Sequence, residues 1–185
     1  MDSARISTVV HAPREQVFEF LMDFEGYGRY SEYVERVGVR GDGTVGTEYE
    51  ITFSWWRLAY TARSKVTDVT PGERIDWEIV KDIDAHGAWQ LDELAQEDRP
   101  AGTEDATRVT LDVQFDPRSV GPGMLDLPRF VSLEWVMEKA TPLIVEQAET
   151  VLRRVVSDLE GAPRTPEIDV EVAPASVDTD GDLNV

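Results

Sequence analysis

Apolar and polar positions alternate through "VTDVTPGERIDWEIV" (66–80), with a Pro-Gly between two alternating runs. Strand side chains point to opposite faces with period two, so the stretch predicts a β-hairpin. Thr70-Pro71-Gly72-Glu73 supplies the turn, because proline pre-sets φ and glycine is free to take φ > 0. Val66 then belongs to one face of the first strand, and Ile75, Trp77 and Ile79 to one face of the second. Strand character recurs in "RISTVVH" (5–11), "VERVGVRG", "TEYEITFSWW", "LAYTARSKVTDVT", "ERIDWEIV", "GAWQLDEL" and "TRVTLDVQF", which makes seven strands. A polar loop, "AQEDRPAGTEDA", separates the last two.

Two segments carry helical spacing instead. In "APREQVFEFLMDF", Pro13 suits a first turn, and Val17, Phe18, Leu21 and Met22 recur at helical steps. "EGYGRYSEY" reads as a short aromatic helix or turn broken by Gly26 and Gly28. From about Arg129 to Glu160, the residues Leu133, Met137, Ala140, Ile144, Ala148, Val151, Val155 and Leu159 form one apolar stripe. Thr141-Pro142 interrupts the stripe, as a kink or as the start of a second helix. Because the stripe stays in phase, one kinked helix is expected.

One strand, two short helices, six strands in a meander and a long amphipathic helix fit an α+β architecture. A curved seven-stranded antiparallel sheet would wrap around the C-terminal helix and bury one face against its stripe. "HAPREQVFEFLMDFEGYGRYSEYVERV" resembles the opening of START-like (SRPBCC, helix-grip) proteins. "VTDVTPGERIDWEIV" is similar to the central hairpin of their polyketide cyclase/dehydrase and lipid-transport branch, which includes the coenzyme-Q-binding proteins. The resemblance spans about residues 3 to 160 and rests on structural, not catalytic, motifs.

The resemblance implies an elongated cavity between sheet and terminal helix that accepts hydrophobic ligands. Placed on that plan, the inward face collects Tyr49, Ile51, Phe53 and Trp55, then Tyr60, Ala62, Ser64 and Val66. Ile75, Trp77, Ile79, Trp89, Leu91, Val109, Leu111, Val113 and Phe115 follow from the later strands. The other phase carries Glu48, Glu50, Thr52, Arg63, Lys65, Asp76, Glu78, Asp112 and Gln114, which suits solvent. Expected cavity residues are Tyr49, Ile51, Phe53, Tyr60, Ala62, Ser64, Trp77, Ile79, Trp89, Leu111 and Val113, with Leu133, Met137 and Ile144 from the helix. Tyr49, Tyr60, Trp77 and Trp89 can act as aromatic walls with polar handles, or as ordinary core. Ala62 and Ser64 are small among bulky neighbours, which favours empty space. "EGYGRYSEY" and "DPRSVGPGMLDLP" (116–128) are candidate gates.

Catalysis would need acid–base groups inside the pocket. Tyr49, Tyr60, Ser64 and His86 are the candidates. His86 precedes Gly87 and reads as solvent-facing, and His11 as structural or exposed. No Ser-His-Asp arrangement, phosphate-cradling glycine loop or HExxH metal motif is present, and no cofactor is implied. Carriage of a lipid, quinone or polyketide-like molecule is therefore favoured over a cyclase/dehydratase reaction. A partner-binding START-like module is the third reading.

Composition narrows the setting. Cysteine is absent, which removes disulfides and thiolate chemistry and fits a reducing cytoplasm. No apolar run approaches the roughly 20 residues that span a bilayer, and the N-terminus does not read as a secretory signal. Residues 161–185 carry six acids, three prolines and no aromatic residue, so they are expected to be a disordered tail beyond a 1–160 domain. "DTDGD" within them lacks full calcium-loop spacing. Truncation after Gly161 is accordingly expected to leave the fold unchanged.

There are 37 acids against 18 bases, for a net charge of −19, and only Lys65, Lys81 and Lys139 are lysines. Nucleic acid is a poor partner for such a surface. Acid-rich, lysine-poor surfaces suit the cytoplasm of a salt-adapted microorganism, where molar salt shortens the Debye length to about 3 Å. The melting midpoint should therefore rise markedly between about 0.1 M and about 2 M KCl. A midpoint independent of salt in thermal melts would remove the salt-adapted reading.

Overall fold

The computed structural model describes residues 1–55, 58–119 and 150–172. Among these residues, eight strands form one antiparallel sheet in the order β2-β3-β4-β5-β6-β7-β1-β8. They are β1 (Asp2–Val10), β2 (Val34–Arg40), β3 (Glu48–Trp55), β4 (Leu58–Thr70), β5 (Arg74–Ile79), β6 (Ala85–Glu93), β7 (Thr107–Phe115) and β8 (Asp169–Val172). Helix α1 (Arg14–Met22) and a 3-10 turn (Phe24–Arg29) lie between β1 and β2, and residues 150–160 form helix α2. The fold is α+β, as the pattern predicts. Of the expected long terminal helix, 150–160 is helical. The stretch containing Thr141-Pro142, Leu133, Met137 and Ile144 lies outside the described residues, as does most of the 116–128 gate candidate.

The β4–β5 hairpin forms where the alternation places it. Glu73 N–H donates to Thr70 C=O at 3.0 Å, and Gly72 takes φ +76°, a conformation that glycine reaches without strain. A bulge between Val66 and Asp68 shifts the register. It keeps Val66 opposite Trp77 and lets Val69 face Ile75.

Cross-strand pairing fixes the two faces. Tyr49 opposes Ser64, Ile51 opposes Ala62 and Phe53 opposes Tyr60; Ile75 opposes Trp89, which opposes Leu111. The outer face is charged. Arg63 pairs with Glu50 at 2.6 Å, Arg74 with Asp76 at 2.7 Å and Arg5 with Asp112 at 2.6 Å. Ala88 stands in register between Asp76 and Asp112 and is only 2% exposed, so a small apolar residue is covered on the polar face.

The core sits on the inner face. Val17 and Leu21 of α1, Phe24 and Val156 of α2 pack against Tyr49, Val66, Ile75, Leu91, Val109 and Val10. Those last six come one each from β3, β4, β5, β6, β7 and β1. The register makes the line oblique: from β3 to β5, each strand contributes a residue two places beyond the one opposite its neighbour. A helix crossing a twisted sheet leaves such a diagonal of contact. Tyr30 fastens the 3-10 turn to α2 by donating its hydroxyl to Asp158 at 2.7 Å, while Arg154 donates to the Tyr30 carbonyl at 2.8 Å.

Residues 161–172 depart from the expected disordered tail. Val170 pairs with Ile6 and Asp169 with Ser7, which makes Asp169–Val172 an eighth strand on the β1 edge. "IDVEV" has the alternation of a strand, and the unpaired edge of β1 supplies the partner that composition alone does not reveal. The approach is pinned by a buried carboxylate. Glu160, whose side chain is 7% exposed, accepts from Arg164 at 2.6 and 2.9 Å and from the His11 backbone N–H at 2.9 Å. Arg164 also donates to the Val9 carbonyl at 2.8 Å, and Thr8 Oγ1 to the Glu167 carbonyl at 2.7 Å.

Burial alone would raise the Glu160 carboxyl, but Arg164 and the His11 backbone N–H hold it below its ordinary value of 4.5. A carboxyl depressed in the folded state stabilises above its unfolded pKa, and that contribution is lost as pH falls through the folded value. Truncation after Gly161 should therefore lower stability at pH 7, and Arg164→Met should reproduce most of the loss, about 1.5–3 kcal/mol for hydrogen bonds to a charge. Denaturant melts check both variants. The Arg164→Met deficit should shrink as the pH falls below 4.5; an unchanged deficit at low pH would contradict the role of the carboxylate.

Candidate functional site

The diagonal divides the inner face. On one side lies the packed core. On the other side, Ile51, Tyr60, Ala62, Ser64, Trp77, Ile79, Leu111 and Val113 share the face and are half-buried, Phe53 is 39% exposed, and Trp89 shares the face but packs against the core cluster. The expected cavity residues on the strands thus fall on one half-face, with one exception.

Tyr49 is the exception. It is 3% exposed and sits on the diagonal, with its ring centroid 4.3 Å from that of Phe24. The 3-10 turn places Phe24 over it, so Tyr49 is core to the fold at its ring. The helix positions Leu133, Met137 and Ile144 lie outside the described residues.

Two polar groups on the open half have no hydrogen-bond partner among the described residues although their atoms are buried: the Tyr60 hydroxyl and the Trp77 indole N–H. Buried donors are normally satisfied, so each is an unmet demand for an acceptor. Burial, then the charge of Asp82, pushes the Tyr60 phenol above its ordinary range, which keeps it a protonated donor near neutrality. Trp77 is held by Gly87. A Cβ built on Gly87 would lie 2.6 Å from the indole and would collide with the Asp112 carbonyl, so only glycine lets the ring lie across β6. An isolated glycine in a strand is the sequence signal of this close approach.

His86 opposes Glu78 and Gln114 on the outer face and is exposed, so it does not join Tyr60 and Ser64. It stands an odd number of residues from the inward Trp89 and Leu91, so the alternation itself turns it outward. From β3 to β7, Tyr60 is the one ionisable side chain on the open half among the described residues. Among those residues no three or more His, Asp or Glu are grouped to hold a metal ion, and no helix is long and apolar enough to cross a membrane.

Two clefts form at the turns, the second bordered by Ile79 of this half-face. One, of about 300 Å³, is lined by Met22, Asp23, Phe24, Glu25, Val39, Asp42 and Tyr49, with two glycines of the β2–β3 turn. The other, of about 470 Å³, follows the β5–β6 loop from Glu78 to Asp84 and reaches Ser119. The strand alternation contains no signal of either, because each is made by turns.

A family model described as polyketide cyclase / dehydrase and lipid transport matches residues 1–160. The chain belongs to that family. A comparison with curated protein sequences finds no match. Among solved structures, the family fold recurs in the Zhui aromatase/cyclase from Streptomyces sp. R1128, at 15% identity over 85% of this chain and 93% of that one, with a TM-score of 0.58. TTHA0849 from Thermus thermophilus is 18% identical over 86% of this chain and 97% of that one, with a TM-score of 0.55. The di-domain ARO/CYC StfQ of the steffimycin biosynthetic pathway is 13% identical over 86% of this chain, with a TM-score of 0.54; this family member covers 51% of its length. At these identities the likeness is one of fold.

Proposed function

We propose that this family member binds and carries an apolar small molecule against the open half of its inner face. The observation that carries the reading is the pairing of that half-buried apolar surface with two unpartnered buried donors, Tyr60 Oη and Trp77 Nε1. An apolar wall supplies affinity, and a few polar groups supply orientation. Trp77 pairs with Val66, six residues along β4 from Tyr60, which is roughly 20 Å of strand. Two donors so far apart suit an elongated molecule with an acceptor, such as a carbonyl oxygen, near each end. Lipids, quinones and polyketide-like molecules all meet that description.

A cyclase or dehydratase reaction in the same place is the second reading, and the printed names of two structural neighbours favour it. The side chains argue for carriage. Proton transfer needs a base poised near neutral pH, and on the strands of the open half the only ionisable group among the described residues is a phenol pushed upward.

Ala62 opposes Ile51 and lies between Tyr60 and Ser64 on the inner face. Ala62→Phe should therefore fill ligand space, cost little stability and block uptake of an apolar fluorescent probe. In a packed core the same change would cost roughly 1–3 kcal/mol. Denaturant melts and probe titrations read the two arms. Strong destabilisation, in a background where the unmodified protein never takes up probe, would refute carriage.

A further inference from the structure

The β3–β4 hairpin ends in an arm that the sheet does not flank on its β4 side. From Leu58 to Ala62, β4 pairs with β3 alone among the described residues. The next strand, β5, joins at Ser64, opposite Ile79, and Val80 N–H donates to the Arg63 carbonyl at 2.9 Å. Five residues at about 3.3 Å each make an arm of roughly 16 Å. Phe53 opposes Tyr60 and Trp55 opposes Leu58, so Phe53, Trp55 and Tyr60 share the inner phase toward its end. Phe53 is 39% exposed, Trp55 and Tyr60 are half-buried, and Ala59 on the other phase is exposed. Residues 56 and 57, which join the strands, lie outside the described residues.

Charge sets this arm apart. No acid occurs between Glu50 and Asp68, a run of 17 residues in a chain where one residue in five is an acid, and the run holds Arg57, Arg63 and Lys65. Along the hairpin, Arg63 pairs with Glu50 at 2.6 Å, and beyond that rung the described residues of the arm carry no charge. Tyrosine and tryptophan, with an apolar body and a polar tip, suit the boundary between lipid headgroups and acyl chains. A bare strand edge cannot enter hydrocarbon, where its N–H and C=O groups would go unsatisfied, but water and headgroup oxygens satisfy it at that boundary. A second copy of the chain fits less well, because each copy brings a net charge of −19.

We infer that this arm docks on a lipid surface, seating Phe53, Trp55 and Tyr60 at the level of the headgroups. Amphipathic helices at this boundary bury roughly 5–10 Å, and two or three rungs of the hairpin reach the same depth. Phe53 and Tyr60 also belong to the open half-face, so the docked arm is continuous with the surface proposed to hold the apolar ligand. Docking rests on the carriage reading for its purpose and not for its geometry: it gives a molecule of low water solubility a route between bilayer and protein.

The test is flotation of the full chain with phosphatidylcholine vesicles in about 1 M KCl, where the Debye length is about 3 Å and long-range charge effects are screened. The chain should float with the vesicles. Lipids brominated near the headgroup should quench its tryptophan fluorescence more than lipids brominated near the bilayer centre. Ala59→Glu puts a charge on an exposed position of the arm outside the ligand face; it should lower the bound fraction about 5-fold or more and leave the melting midpoint and uptake of an apolar probe unchanged. Phe53→Ser and Trp55→Ser should lower it as well. Val170→Ser, an exposed aliphatic position on β8, should leave flotation unchanged. No flotation, full flotation of Ala59→Glu, or an equal loss in Val170→Ser would overturn docking, and so would a dimer that Ala59→Glu dissociates in the absence of lipid. Probe uptake without flotation refutes docking and spares carriage, whereas flotation without probe uptake supports docking and refutes carriage.

Discussion

A helix laid on a twisted sheet meets each strand at a different height, and the arrangement of this chain follows from where that line of contact falls. Here the line is Tyr49, Val66, Ile75, Leu91, Val109 and Val10, capped by Val17, Leu21, Phe24 and Val156. Full burial of an aliphatic side chain is worth about 1.5–3 kcal/mol, so this one diagonal supplies a large part of the stability. Because it crosses obliquely, it spends only half of the inner face. The remaining half keeps its apolar alternation without the same burial, and there the two unpartnered donors lie. On the proposed reading, stability and ligand binding use the same strands at different heights.

The outer face solves a separate problem. A chain with a net charge of −19 has to place its acids where repulsion is tolerable. It sets arginines beside them: Arg5 lies opposite Asp112 and Arg63 opposite Glu50 in register, Arg74 makes a two-point contact with Asp76 two residues along its own strand, as Arg5 does with Asp112 across strands, and Arg40 shares Glu50. A planar guanidinium matches a carboxylate at two points where an ammonium meets it at one. That geometry accords with a surface rich in arginine and poor in lysine. The sheet edge is handled by β8, whose approach depends on Glu160 being buried with Arg164 and the end of β1.

Much of this was legible in the residues. Period-two alternation determines which side chains share a face, and Thr70-Pro71-Gly72-Glu73 marks its turn through proline and glycine. Alternation says nothing of height along a strand. Tyr49 therefore reads as a cavity residue although it lies on the diagonal under Phe24. Composition misled at 161–172, because acidity and proline content describe a segment in isolation. Val170 is held by pairing to Ile6, and the Glu160 clasp joins groups 149 positions apart. The cleft of Glu25, Asp42 and Tyr49 is invisible for the same reason: a turn brings residues from separate segments to one place.

The central claim is that half of the inner face is kept for a ligand and not for the core. Native mass spectrometry of the protein isolated from its own host, never denatured, addresses it directly. The account predicts a complex heavier than the chain by the mass of one apolar molecule, which dissociates on unfolding and can be identified from the released fraction. A bare chain mass from the host, together with no shift when lipids, quinones or aromatic polyketides are added in excess, would contradict it.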